Sequence, residues 1–215
     1  MRASRRLAGL VAFVPMRGIE QIPWMYDSLL WLMEATGLGR WRKWLTAGAR
    51  GRVLDLGCGT GRNLPLYSLV QVGERAPLLI GLDPSRDALL RARRRAPGVP
   101  LVRARAEALP FRAGTFDTVV SGLVFCSVPD VPAGLEEVGR VLAGGGALRM
   151  LEHVRAPGWR GRFQDWLQPA WTWCAGGCYP NRDTERAVEA AAFSIEPESL
   201  RAADTMRRFV ARPKR

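Results

Sequence analysis

Residues 53–63 read Val53-Leu54-Asp55-Leu56-Gly57-Cys58-Gly59-Thr60-Gly61-Arg62-Asn63. A short apolar run ends on an acidic residue, and three glycines follow at alternate positions. This predicts a strand that runs into a tight turn and then a helix. Glycine lets the backbone take positive φ and lets a ligand lie close against the main chain. A helix beginning there points its unpaired N–H groups at the turn.

A dinucleotide fingerprint needs G-x-G-x-x-G, with the third glycine packing helix on strand. Counted from Gly57, the sixth position is Arg62, so that fingerprint fails. Further along, Leu78 to Leu82 predicts a second strand ending at Asp83, 22 positions after Gly61. A carboxylate at that strand end can accept bonds from both hydroxyls of a ribose. Pro84 and Ser85 then open a helix, Asp87 to Ala96, whose Arg91, Arg93, Arg94 and Arg95 suit a solvated face better than a binding patch. The third strand is Val99 to Arg103 and the fourth Phe116 to Ser121. A helix over Val131 to Leu142 comes next. Gly144-Gly145-Gly146 turns into a fifth strand, Ala147 to Leu151, closing at Glu152-His153. Ahead of all these, residues 17–50 look helical, with a distinct helix from Arg40 to Thr46. The helix after the glycine turn should cover about 62–70, with Pro65 in its first turn. Strands alternating with helices at short spacing predict an α/β fold with a parallel, doubly wound sheet.

The pattern D-x-G-x-G-x-G resembles the first motif of the class I S-adenosylmethionine-dependent methyltransferases (type 11 methyltransferase domain). Ala104-Arg105-Ala106-Glu107-Ala108-Leu109-Pro110-Phe111 resembles the segment of that family written G-D-A-E-x-L-P-F, and Gly114-Thr115-Phe116-Asp117 matches the family's next stretch. The resemblance implies a Rossmann-like, seven-stranded, mostly parallel sheet. Phe193 to Ile195 and Thr205 to Ala211 would form its C-terminal antiparallel hairpin. It implies S-adenosyl-L-methionine as cofactor, held by Asp55, Gly57, Cys58, Gly59, Gly61, Asp83, Pro84, Ala106, Glu107 and Leu123. In the family the acidic residue of the 104–111 segment recognises adenine. Here Arg105 stands where an Asp is usual, and an Arg accepts no hydrogen bond. Glu107 or a backbone carbonyl must take that role, or adenine recognition is looser.

The chain has 215 residues and a net charge of +12, enough length for one domain with a full core. Thirty of its 32 basic residues are Arg. Such a charge favours anionic surfaces, phospholipid or nucleic acid. Cys58, Cys126, Cys174 and Cys178 are too few and too irregular for a disulfide scaffold, and they fit a reduced, cytoplasmic compartment. The Cys174–Cys178 spacing lacks a second ligand pair, so no metal site is expected. No stretch reaches the roughly eighteen apolar residues of a membrane span. Arg2, Arg5 and Arg6 precede the short apolar run Leu7 to Val14, which reads either as an interfacial segment or as a helix packed on the domain. Residues 1–50 are thus expected to form an N-terminal helical segment, a lid or membrane-surface element, and 51–215 the catalytic domain.

Residues 150–193 resemble the animal methyltransferase-like 7 proteins, the thiol S-methyltransferase branch. The resemblance is carried by Leu151-Glu152-His153-Val154, Trp166, Leu167, Pro169-Ala170-Trp171, Gly177-Cys178, Arg182 and Ala192-Phe193-Ser194. The segment Leu123 to Val128 adds to it. It implies a small apolar acceptor, such as a thiol, methylated by direct displacement. His153, the sole His, is the candidate base at the end of strand five. Tyr26, Cys126 and Arg182 are candidate substrate residues: Tyr26 as part of a lid or of the packing, Cys126 as a site residue or a buried structural one, Arg182 as a positive field or an exposed ion pair. Trp159, Phe163, Trp166, Leu167, Trp171 and Trp173 read as a surface-seeking segment, the roof of a pocket, or a core helix. Two other functions stay open. One is a phospholipid or quinone methyltransferase peripheral to a membrane. The other is a non-catalytic RNA-binding protein of the same fold, supported only by charge. DNA is not an expected partner, and the sequence leaves the oligomeric state open.

Overall fold

The computed structural model describes residues 37–70, 78–174 and 177–214. The expected helix before residue 37, the apolar run Leu7 to Val14, and Tyr26 lie outside the described residues. The elements are α1 (Gly39–Ala47), β1 (Arg52–Leu56), a 3-10 segment (Leu64–Val70), β2 (Leu78–Asp83), α2 (Arg86–Arg95), β3 (Leu101–Arg103), β4 (Phe116–Gly122), α3 (Val131–Val141), β5 (Leu142–His153), α4 (Gly158–Cys174), α5 (Thr184–Ala190), β6 (Phe193–Ile195), β7 (Arg201–Ala203) and β8 (Met206–Pro213).

The sheet runs β3-β2-β1-β4-β5-β8-β6, with β7 also paired to β8. The first five strands are parallel and β8 is antiparallel to its neighbours. Seven strands were expected and eight form. The extra strand, β7, pairs with Met206 to Arg208, while β6 pairs with Ala211 to Pro213 along the same strand. The two short strands thus share one lateral position.

Two further expectations are corrected. The chain after the glycine turn is a 3-10 segment, not an α-helix, with Leu64 bonding to Gly61 and Leu66 to Asn63 in i to i+3 steps. Gly144 to Gly146 belong to β5 instead of preceding it. Between the pairs Phe116–Leu142 and Thr118–Ala147, β5 advances five residues while β4 advances two. The excess is a bulge, and Gly145 takes the positive φ it needs. Helix α5 was not anticipated: its seven residues are too few to show a helical period.

The pleat sends alternate residues to opposite faces. Leu54, Leu56, Val119, Leu148, Met150 and Phe209 pack one core, with Leu135 and Val138 of α3 and Val188 of α5. Val53, Val120 and Leu151 pack the other, with Leu45 of α1 and Ala92 of α2. Helix α1 is fixed there by two arginines, Arg208 over the rings of Trp41 and Trp44 and Arg149 at the helix end. Arg149 of β5 donates from Nε to the Leu45 carbonyl (2.8 Å) and from an Nη to that of Trp44 (2.6 Å). These are C-terminal carbonyls that an α-helix leaves unpaired. The guanidinium also stacks 4.4 Å from the Trp44 ring. Replacing it by Met (R149M) leaves those carbonyls without donors. The expected loss is about 2 kcal/mol, read as a fall in Tm of about 5 °C by calorimetry.

Candidate active site

The glycine turn joins β1 to the 3-10 segment at the C-terminal edge of the sheet, where α/β folds bind ligands. Gly57, Gly59 and Gly61 have φ of 63, 55 and 81°. Each has its own reason to lack a side chain. A Cβ at Gly57 would lie 2.5 Å from a methyl of Val124, and one at Gly61 would lie 2.8 Å from the backbone of Ala92 in α2. A Cβ at Gly59 would meet nothing within 4 Å, so Gly59 faces open space. The turn packs on the loop after β4 at one end and on α2 at the other, and it is bare between them.

Asp83 ends β2 and braces this turn. Its Oδ2 accepts the Gly59 N–H (2.9 Å) and its Oδ1 accepts that of Ser85 (2.8 Å). Each carboxylate oxygen keeps a further lone pair. Pro84 lies between, its carbonyl accepting from Arg103 at 3.0 Å. Cys58 donates its backbone N–H to the Leu82 carbonyl (2.9 Å), and burial pushes its thiol pKa up, so it stays protonated. One arginine of the cluster on α2 has a definite role: Arg95 donates to the carbonyl (2.7 Å) and hydroxyl (2.9 Å) of Thr60 within the turn.

Asp55 is fully buried, and neither of its carboxylate oxygens has a hydrogen-bond partner. Burial raises its pKa to about 7, against the opposing pull of nearby Asn63, Arg42 and Tyr67. A buried acid with two empty acceptor atoms is costly unless a donor or a cation meets it. This edge therefore offers bare backbone at Gly59, spare acceptors at Asp83 and an unsatisfied carboxylate at Asp55. That set fits an adenosyl ligand bearing an ammonium group.

The adenine-side segment carries an ion pair of its own. Arg105 and Glu107 form an ion pair at 3.7 Å, so Glu107 is already engaged by the very residue that replaced the usual acid. Ala106 is buried, and Arg105 and Ala108 form an isolated antiparallel bridge. The segment is held from α3 by two residues that belong to no sequence motif and were not anticipated. Glu137 accepts the Leu109 N–H (2.7 Å), and Arg140 donates to the carbonyls of Leu109 (3.0 Å) and Phe111 (2.8 Å). The two also bond each other at 2.6 Å.

The loop after β4 depends on Glu152, a residue to which the sequence alone assigns no role. This fully buried carboxylate accepts with Oε1 from the N–H groups of Val124 (2.9 Å) and Phe125 (3.1 Å) and from the Ser121 hydroxyl (3.2 Å). It holds Leu123 at φ 62°, a left-handed conformation costly for a branched side chain. Leu123 is fixed too by its own N–H, bonded to the Leu151 carbonyl at 2.7 Å.

Two of the candidate substrate residues meet at this loop. Cys126 is buried beside Cys178, and the sulfur–sulfur hydrogen bond, with burial, keeps the Cys126 thiol protonated. Cys178 is drawn downward chiefly by that same bond. The Cys126 carbonyl accepts the Tyr179 N–H at 2.7 Å. Arg182 is in no ion pair among the described residues, and its positive charge helps to draw the Cys178 thiol pKa down. It donates to the carbonyls of Phe125 and Val128, the latter at 2.6 Å, and lies over the Tyr179 ring. A cavity of about 200 Å³ behind it is lined by Phe125, Val131, Arg182, Asp183, Thr184 and Ala187. It touches neither Asp55 nor Asp83 and is separate from the glycine turn. His153 stands apart from this group. The pleat points Glu152 toward the 123–125 backbone and His153 to the opposite face, the one that carries Leu151, Leu45 and Asp55. Burial lowers its pKa, so the imidazole is neutral at pH 7. Among the described residues no group of three or more His, Cys, Asp or Glu is placed to hold a metal ion, and no helix is long and apolar enough to cross a membrane.

Burial raises the pKa of Glu152 from 4.5 to about 7. The folded state thus holds a proton that the unfolded chain releases above pH 4.5. Its contribution is fully present below pH 4.5 and is lost as pH rises to 7, a decline of about 3 kcal/mol. Glu152→Gln keeps an acceptor and removes this titration. In urea unfolding at pH 5 and pH 8, the variant should lose less stability between the two than the native chain, by about that amount.

The profile of the family described as "Methyltransferase domain" matches residues 54–150, from β1 into β5. The human thiol S-methyltransferases TMT1B and TMT1A are each 36% identical, over 68% and 69% of this chain. The chain spans only 62% and 63% of their lengths. The ubiquinone/menaquinone biosynthesis C-methyltransferase UbiE of Stenotrophomonas maltophilia is 31% identical over 82% of this chain and 70% of its own length. Among solved structures, a SAM-dependent methyltransferase from Thermotoga maritima superposes with a TM-score of 0.68 at 20% identity, covering 91% of this chain and 98% of that one. The chain belongs to the S-adenosylmethionine-dependent methyltransferases.

Proposed function

We propose that the chain methylates a small apolar acceptor, with a thiol as the favoured nucleophile, and that the glycine edge is its cofactor site. The observation that carries the cofactor assignment is the unsatisfied Asp55 carboxylate beside the bare Gly59 backbone. The thiol is favoured by the likeness to TMT1A and TMT1B. When bound, S-adenosylmethionine supplies an activated methyl group on a sulfonium centre.

The protein's own work is alignment. Asp55 meets the cofactor's ammonium group, Asp83 takes the ribose hydroxyls, and the turn at 57–61 lets both come close. Glu152, through the backbone of Val124 and Phe125, sets the loop that faces the acceptor. Holding two reactants in register contributes on the order of 7–11 kcal/mol, so chemical assistance need only be modest. A thiol has a pKa of about 8.5, and a mild base raises its thiolate fraction. Neutral His153 is suited to accept that proton. The acceptor sulfur, its proton passed to His153, would take the methyl group that the sulfonium centre supplies, leaving the demethylated thioether as the second product.

A quinone acceptor is the second reading, favoured by the UbiE likeness over most of both chains. A methyl-transfer screen with labelled cofactor across alkyl thiols, quinones and phosphatidylethanolamine decides between them. Methylated thiol is the expected product. Label in quinone or lipid alone, with none in thiol, overturns the thiol assignment. His153→Ala should slow thiol methylation most below pH 8, where the thiolate is scarce. An unchanged rate at pH 7 removes His153 as the base.

The charge of Asp55 gives the cofactor site a pH signature. An ammonium ligand selects the ionised carboxylate, which is depleted below pH 7 in the free protein. Cofactor affinity, measured by calorimetry, should therefore rise from pH 5.5 to 7.5 and then level. Asp55→Asn should weaken binding by about tenfold or more and flatten that dependence.

A further inference from the structure

Helix α4 carries its uncharged polar residues inward and an aromatic stripe outward. Gly161, Gln164, Gln168 and Thr172 form the row that faces the protein. Gly161 is buried against the Ala156 carbonyl, where a Cβ would not fit. Gln164 accepts the Ala156 N–H at 2.6 Å. Gln168 donates to Thr172 (2.8 Å), and Thr172 donates to the Cys178 carbonyl (3.0 Å). The opposite row is Trp159, Phe163, Trp166, Ala170 and Trp173, spaced by four and three residues, which is one stripe along a helix. Trp159 is 70% exposed, Trp166 74% and Trp173 79%. A helix on a water-facing surface shows the reverse arrangement. The stripe is therefore an interaction surface.

We propose that this surface lies in the headgroup layer of an anionic phospholipid bilayer, with α4 parallel to the membrane plane. The residue types support this occupant. Tryptophan concentrates at the boundary between headgroups and acyl chains, where an apolar ring and an N–H are both satisfied. Arginine flanks the stripe. Arg155 and Arg160 are in exposed ion pairs with Asp165 and Asp204, and such pairs exchange readily for phosphate. Arg162 is exposed and makes no ion pair or hydrogen bond among the described residues. The chain's charge of +12 attracts an anionic surface and opposes stacking a second copy on the same face. Seventeen residues, about 25 Å of helix, suit an in-plane element and are too polar on one side to span.

The placement also bears on access to the acceptor loop. The C-terminal end of α4 reaches the Cys178 carbonyl, and Tyr179 next to it is bonded to Cys126. Helix α4 thus stands between such a bilayer and the loop after β4. The membrane contact is independent of which acceptor is methylated.

The test is co-sedimentation of the full chain with phosphatidylcholine vesicles, with and without about 30% phosphatidylserine. It compares the native chain with the triple variant W159S/W166S/W173S. The native chain should sediment with the anionic vesicles and weakly with the neutral ones. The variant should lose about tenfold or more of that binding while keeping its far-UV circular dichroism and its methylation of a water-soluble thiol in the absence of vesicles. In the native chain, lipids brominated near the headgroups should quench tryptophan emission. This second readout holds whether or not the variant folds. Equal sedimentation of a folded variant, or no quenching in the native chain, overturns the proposal. So does a native dimer, seen by sedimentation velocity, that the variant abolishes in the absence of any vesicle binding.

Discussion

The carboxylate of Asp83 ties together the parts that make this edge of the sheet a site. It lies at the end of β2 yet accepts an N–H from the turn after β1 and another from the start of α2. Without it, three glycines in left-handed conformations would be free to sample many arrangements. With it, the turn is held open over Gly59 while Val124 and Ala92 close on its two ends. The bare backbone at the centre follows from acceptors and glycines arranged around it, with no ordered side chain of its own.

Three buried acids stand at this edge, and burial raises the pKa of each. Their duties differ with their partners. Asp83 accepts from two backbone N–H groups and is structural even before a ligand arrives. Glu152 accepts from two more and a hydroxyl, and shapes the loop after β4. Neither Asp55 oxygen has a hydrogen-bond partner, with Asn63, Arg42 and Tyr67 standing near it. Glu152 keeps one oxygen without a partner and Asp55 keeps two, so Asp55 is the least satisfied acid of the three.

Much of this was legible in the chain. The strand-turn pattern around Gly57 and the acid at Asp83 are local signals, and both strands fall within a residue or two of expectation. The adenine segment was legible as a motif but not as geometry. Arg105 marked a departure, yet only the fold shows it paired with Glu107. Glu152, Arg140 and Arg149 were silent because each acts through carbonyls or N–H groups from 27 to 105 positions away. No periodicity encodes such contacts. Strand β7 and helix α5 escaped notice because short elements carry too little pattern. Arg182 has a structural role that its charge did not announce: its guanidinium serves backbone carbonyls while its charge also acts on Cys178. Helix α4 was ambiguous in sequence, since an aromatic stripe marks a core helix as readily as a surface one. The inward row of Gln and Thr resolves which way it faces.

The central claim is that the edge formed by Asp55, Gly59 and Asp83 holds the cofactor. A crystal structure with S-adenosylhomocysteine bound tests it most directly. We predict the ligand's ammonium within hydrogen-bond distance, about 3 Å, of Asp55, its ribose hydroxyls on Asp83, and its chain against the bare backbone of Gly59. A ligand lodged elsewhere, or one that leaves the Asp55 carboxylate still without a donor, would contradict it.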